Sequence, residues 1–430
     1  MKKELNEQFI IDLSKKKKEP QWMLDFRLKS YQKFKELDNP NFGPKLEIDF
    51  NSINYYKGTR EEITNDWNKV NCSIRNRFNE LGVIDAENKY LGGVTNQYES
   101  EVFYHNTKVE DGVIFTSTDD ALQKYPELFK EYFNHLVQYT ENKYTALNGA
   151  VWSGGSFIYV PKGVKVEKPL QSYFRIETES LGQFERTIII VDEGADLSYI
   201  EGCTAKNYSL SSLHAGVVEI YIKKNAHCRY STIQNWSTDV YNLVTKRAIV
   251  DDYGTMEWVD GNIGSKVTMK YPSCILNGIG ATGNSISIAY AKKGQQLDAG
   301  AKMIHLAPYT KSNIVSKSIA QDGGTSNYRG TTRISPNAHH SKATIKCDTI
   351  ILDELSTSDT YPKNIVDNNT STLEHEATIS KISQEKLFYL TSKGLSEDTA
   401  KELLIMGFIS DFKKELPMEY AVELNRLLKE

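Results

Sequence analysis

Five cysteines in 430 residues, at Cys72, Cys203, Cys228, Cys274 and Cys347, are too few and too scattered for a disulfide framework. No CxxC pair occurs, which removes a zinc ribbon as well. The five read as free thiols in a reducing setting. An excess of one charge is also lacking. With 52 Lys and Arg against 56 Asp and Glu, the formal charge is −4 and the pI is near 6.1. Neither value supports binding to nucleic acid or to an anionic membrane, so partners should be recognised by shape and specific contacts. Long apolar runs are missing, and nothing approaches the ~20 residues needed to cross a bilayer. The opening "MKKELNEQFIIDLSKKKKEP" has neither the apolar centre nor the small-residue cleavage site of a signal peptide. The default compartment is the cytosol, with an organelle such as a plastid left open.

Catalytic signatures are scarce too. There is no GxxxxGK[ST] loop, so the chain should not hydrolyse ATP itself, and there is no GxSxG elbow or HExxH helix. Eight scattered histidines do not argue for a Ser-His-Asp triad. "GIGATG", Gly278 to Gly283, matches GxGxxG, but the alternating "NSISIAYA" that follows is a strand, whereas a dinucleotide site needs a helix N-terminus there. It reads as a glycine-bearing β-turn.

What the sequence does contain changes character twice. Residues 1–147 look mixed and largely helical. "EPQWMLDFRLKSYQKF" places Pro20 at a plausible first turn and Trp22 and Phe26 at helical spacing. The run Lys15 to Lys18 could dock an acidic partner, and as a solvated, poorly ordered leader it has a plainer explanation. "STDDALQKYPELFKEYFNHLVQY" reads as a second helix capped by Ser117 or Thr118. Over 148–372, short strand-like segments such as "RTIIIV", "VVEIYI", "SISIAYA" and "ATIKCDTIIL" recur every ten to fifteen residues, and no amphipathic helix interrupts them. The pattern fits a sandwich or a parallel β-helix. The length of the run and the scarcity of Asn-Gly and Asp-Gly turns favour the solenoid. Residues 373–430 are helical again, with Ser383 and Ser396 as caps and Gly394 and Gly407 as stops. Leu395, Ala400, Leu403, Leu404 and Phe408, followed by Leu416, Val422, Leu424, Leu427 and Leu428, give this unit apolar surface for a partner or for the end of the solenoid.

The remaining chemistry is soft. In "HHSKATIKCDTIILDE" Cys347 shares its parity with Ala343, Ile345, Thr349 and Ile351, so an extended chain turns the thiol toward the less polar side. His375 and Glu376 follow, next to the C-terminal helices. Thiolate, imidazole and carboxylate are all iron ligands. A buried, inert cysteine and a polar strand-to-helix junction explain the same residues without a metal.

"EPQWMLDFRLKSY", "ALNGAVWSGGSFIYVPKGV", "YIEGCTAK", "IKCDTIILDELSTSDTYP" and "EHEATISKISQEKLFYL" together resemble the SufB/SufD family of the SUF iron–sulfur cluster assembly machinery over nearly the whole length. The resemblance implies a mainly β fold, with a right-handed parallel β-helix core flanked by N- and C-terminal helical regions. It implies a non-catalytic scaffold carrying a transient iron–sulfur cluster, with ATP hydrolysed by the partner SufC and reduced FAD as a cofactor of the complex. The other partners implied are SufD or a second SufB-type chain, and a sulfur donor, SufS with SufE or SufU.

Residue by residue, the family's sulfur acceptor falls on Cys203 and its assembly-site cysteine on Cys347. Glu376 and His375 fall on its metal-binding string. Arg175, Gln234 and Trp236 fall on the path for sulfur through the solenoid. Glu177 stands where the family often has Asn. The N-terminal cysteine motif of some members is missing, so no cluster is expected there. A SufD-like structural adapter for the ATPase is the alternative, with less need for two thiols in these strings. A carbohydrate-active β-helix enzyme would need an acidic groove that the strands do not supply.

Overall fold

The computed structural model describes residues 4–59, 63–80, 82–205 and 212–415. Leu416 and the apolar residues after it lie outside this set. From Leu170 onward each coil of the chain adds one strand to a stack of parallel neighbours. These are Leu170–Ile176, Asp196–Ala205, His227–Trp236, Thr255–Gly264, Thr282–Ala291, Lys311–Ala320, Lys342–Ile351 and Thr372–Lys381. The return half of each coil builds a second sheet, which includes Val217–Ile222, Val240–Val250 and Thr325–Ile334. The result is a parallel β-solenoid of about eight turns.

A local device repeats at its corners. Gly194, Asn225, Tyr253, Gly280, Tyr309 and His340 all have positive φ, and each stands two residues before a strand of the first sheet. One left-handed residue turns the chain from one wall to the next and keeps every coil in register, which removes any need for hairpin dipeptides. Tyrosine in this conformation costs roughly 1–2 kcal/mol. At Tyr309 the stacking of its ring on His340, at 5.3 Å, offsets part of that. "GIGATG" is one of these corners. Gly280 makes the turn, and Gly283 then faces inward on a strand, where an added Cβ would lie 3.2 Å from Cys274, Leu276 and Met303.

Both faces of the first sheet are covered. Its outward residues Tyr173, Ile200, Ile233, Val259, Ile288 and Ile319 pack under Ile74, Phe78 and Val83 at one end and under Ile405, Ile409 and Phe412 at the other. Gly93–Tyr98 pairs in parallel with Leu170–Ile176 and carries the antiparallel neighbour Glu101–Thr107 at the N-terminal end. At the other end Thr372–Lys381 is an edge strand. The helices Gln384–Ser392, Glu397–Phe408 and Ser410–Glu415 follow, and Ser383 and Ser396 cap the first two as expected.

Two N-terminal expectations are corrected. The lysine run is not a loose leader. Lys15 and Lys16 end the helix Glu7–Lys16, and Lys17 is partly buried, with its ammonium 2.5 Å from Asp119, 3.2 Å from the Trp152 carbonyl and over the Trp152 ring. The second helix is broken in two, Thr118–Lys124 and Pro126–Tyr132, because the residue before a proline avoids the helical region and Tyr125 adopts φ −130 and ψ 53. No helix among the described residues is long and apolar enough to cross a membrane.

Candidate functional site inside the solenoid

Parallel strands in register stack like residues in columns, and alternate residues of each strand face the interior. Two inward columns carry the chemistry. One reads Glu201, Thr232, Asp260, Ser287, Ser316, Cys347, and the other Cys203, Gln234, Asn262, Ala289, Ser318, Thr349. All twelve are buried. Five strand spacings of ~4.8 Å place the two thiols roughly 24 Å apart along one polar strip inside the tube.

Cys203 sits at one end of this strip. Its Sγ donates to Glu201 Oε1 at 3.9 Å, since residues two apart on a strand share a face. Glu201 also accepts from Tyr230 Oη and from Lys246 Nζ, the latter at 3.2 Å. Lys270 reaches Asp260 at 2.9 Å and Gln234 at 3.3 Å. Asn242 donates to Gln234 at 2.8 Å, and His214 lies 2.7 Å from Asn242 and bonds to Glu185 through its other nitrogen. Trp236 packs on the His214 ring at 4.6 Å. Three acids, Glu185, Glu201 and Asp260, therefore face Lys246, Lys270 and His214 in a space closed to water.

Burial first, then the carboxylates of Glu201 and Glu185, push the Cys203 thiol well up, and Lys246 and Lys270 oppose them. Burial pulls the two lysines down. For Lys246 the carboxylates of Glu201 and Asp260 outweigh it and hold its pKa up, whereas Lys270 is left lowered.

Cys347 sits near the other end, 3.8 Å from His375 Nε2 on the edge strand, and Asn364 fixes that ring from Nδ1 at 3.0 Å. Burial pushes the Cys347 thiol up to about 12, with the neighbouring Tyr328 hydroxyl acting against it. Burial also lowers His375, keeping a neutral imidazole available as a ligand.

The structure brings Cys203, Gln234 and Trp236 together, and separately Cys347 and His375. Glu376 is not with them. It lies mid-strand, not at a junction with the helices, so alternation turns it to the outer face, where it is exposed and 3.8 Å from Lys346. Arg175 also faces away from the interior. It pairs with Thr204, one residue off the Cys203 column, and its guanidinium bonds Glu177 and the Thr204 hydroxyl at 2.8 and 2.9 Å. The variant residue Glu177 anchors Arg175 there. Sequence reading missed Glu201, Lys246, Lys270 and Tyr328. Of these, only Glu201, two residues before Cys203, carried a parity signal. Among the described residues no three His, Cys, Asp or Glu side chains converge to hold a metal ion.

The sequence model of the SUF system FeS cluster assembly SufBD core domain matches residues 174–408, and that of the SufBD protein N-terminal region matches residues 14–172. The chain belongs to the SufBD family. An iron–sulfur cluster assembly SufBD family protein of Staphylococcus epidermidis is 57% identical to this SufBD chain over 429 residues, covering 99% of the chain and 92% of the relative. The iron–sulfur cluster assembly protein SufB of Bacillus subtilis is 56% identical over the same span, with the same coverage. SufBD proteins are scaffolds for cluster assembly, and the solenoid described here is the body of that scaffold. The glycine string does not fit a flavin dinucleotide, because the strand Thr282–Ala291 stands where the pyrophosphate would need a helix N-terminus.

Interior burial in this SufBD chain makes a pH prediction. Burial raises Cys274, Cys347, Tyr132 and Tyr290 to about 12. In the unfolded chain a thiol loses its proton near ~8.5 and a phenol near ~10. Above ~8.5 the unfolded state therefore binds fewer protons, and stability falls as pH rises from there toward about 12. Thermal unfolding followed from pH 8 to 11 should show a steep drop in Tm above about pH 9; a flat profile would contradict the burial of these groups.

Proposed function

We propose that the chain accepts sulfur as a persulfide on Cys203 and assembles a labile iron–sulfur cluster at Cys347, working with SufC and with SufD or a second SufB-type chain. The observation that supports this reading best is the buried polar strip that joins the two thiols inside one tube.

In the transfer step, the Cys203 thiol gives its proton to Glu201 and its sulfur attacks the outer sulfur of a donor persulfide. A new S–S bond forms on Cys203, the donor's S–S bond breaks, and the donor thiolate leaves. Lys246 stabilises the one negative charge as it passes from the Glu201 carboxylate to the sulfur. The strip of Thr, Ser, Asn and Gln side chains offers hydrogen bonds to a sulfur anion without binding it tightly.

At the receiving end Cys347 and His375 supply two ligands to the cluster, which is cargo to be released. Two ligands from one chain hold it weakly enough for transfer, and a subunit pairing with the open edge strand Thr372–Lys381 supplies the rest. Glu376 joins when docking re-aims that edge, which its exposed contact with Lys346 permits. SufC docks on the C-terminal helices, where Phe388 and Tyr389 present apolar surface, being 74% and 60% exposed.

Anaerobic reconstitution with ferrous iron and sulfide, read by visible absorption and Mössbauer spectra, tests the assignment. Cys347→Ala should lose most of the sulfide-dependent absorption, and Glu376→Ala should lose part of it. Equal loading in both variants and the wild type would remove the site.

A further inference from the structure

One cleft outside the solenoid interior holds a charge that no step above uses. It has a volume of about 550 Å³, within the range of small-molecule sites, and lies between residues 37–42 and the second sheet. Leu37, Phe42, Tyr144, Leu243, Met269 and Tyr271 form its apolar walls. Lys302 also lines it.

Asp38 lines the cleft but is exposed and makes no ion pair with Lys302, and the other two acids here, Glu141 and Asp298, are engaged. Arg247 holds both carboxylate oxygens of Glu141 and donates to the Leu136 carbonyl at 2.7 Å. Arg329 holds Asp298 at 3.0 and 2.9 Å, and the Tyr271 hydroxyl takes the same carboxylate at 2.6 Å. Among the described residues the Lys302 ammonium has no acceptor, only the face of the Tyr271 ring at 5.3 Å. Burial first, and then the Arg247 charge, depress its pKa. A cation in a cleft of mixed lining, with no carboxylate paired to it, lacks one component, a counter-ion.

We propose that this cleft is a binding site for a small molecule with a flat apolar body and one acidic group, a carboxylate, sulfonate or phosphate, which Lys302 neutralises while Tyr271 and Phe42 flank the body. The inference uses no step of the sulfur path, although Lys246, whose ammonium turns inward to Glu201, also lines the cleft.

Pyridoxal 5′-phosphate is a suitable probe for the full-length chain. Its aldehyde condenses with an uncharged lysine amine, losing water, and added borohydride supplies the hydride that reduces the imine to a stable secondary amine. Peptide mass spectrometry then locates the label. At pH 7.5 Lys302 should be modified measurably faster than the exposed Lys293, because burial beside the Arg247 charge leaves more of its amine unprotonated. Excess 8-anilinonaphthalene-1-sulfonate should slow labelling at Lys302 and leave Lys293 unchanged. Lys302→Met, with an unaltered circular dichroism spectrum, should lose the saturable part of the fluorescence that this sulfonate develops on the wild type. Labelling of Lys302 no faster than Lys293, no protection by the sulfonate, or full retention of saturable fluorescence in Lys302→Met would each overturn the proposal.

Discussion

Lys246→Met should destabilise the protein by about 3–5 kcal/mol, the usual loss when one partner of a buried ion pair is removed. Lys246 and Glu201 are both fully enclosed, with side-chain exposures of 0% and 2%. Water cannot replace the ammonium that Glu201 loses. Methionine fills the same volume, so the loss measures charge and not a cavity. Adding Glu201→Gln should recover a good part of it, because the amide needs no counter-ion. Urea or thermal unfolding of the two single variants and the double variant gives the coupling. A Lys246→Met loss below about 1 kcal/mol would mean that Glu201 is neutral or hydrated in the folded state. The same substitution also bears on chemistry. Lys246 is one of two cations that oppose the rise in the Cys203 pKa, so on the proposed sulfur path its removal should slow persulfide transfer to Cys203 in whatever protein still folds.

In the isolated chain Cys347 should react with iodoacetamide about a thousandfold more slowly than an ordinary thiol at pH 8. A pKa of about 12 leaves roughly one thiolate in ten thousand at that pH, whereas a thiol near ~8.5 has about a quarter. The rate should rise tenfold per pH unit until the thiol titrates or the fold gives way. Cys72, which is exposed, is the internal reference in the same digest. Iron binding needs the thiolate, so metal loading at Cys347 should release a proton and improve as pH rises. Partner docking or ATP binding by SufC that opens this end of the tube should speed alkylation sharply. Reaction of Cys347 as fast as Cys72 in the isolated chain would show that the thiol is not held as described.

The elements whose meaning is local were legible in the sequence. Ser383 and Ser396 cap helices, strand alternation turns Cys347 inward, and the strand after "GIGATG" removes a nucleotide site, all as read from residue order. Features that depend on distant coils were not legible. Lys246 sits in "LVTKRAIV", where a lysine among apolar residues suggests a solvent-facing edge. Only the stacking of coils shows that it meets Glu201, forty-five residues earlier in the chain. Arg175 and Glu376 were named from the family resemblance, and residue order alone does not give their facing: each lies one position off an inward residue, which sends its side chain to the outer face. Lys17 was misjudged because a run of four lysines looks solvated until Asp119 and Trp152, a hundred residues later, close over one of them.

The corner residues that restart each strand have an engineering consequence. Each coil takes about thirty residues, and six successive corners share the same left-handed bend, so the tube works as a ruler graduated in whole coils. Excising residues 282–310 would bring Cys203 and Cys347 one graduation closer, by ~4.8 Å, with both columns still aligned. Removing half that length would swap walls and scramble the bore. Evolution can thus lengthen or shorten the distance between Cys203 and Cys347 only in steps.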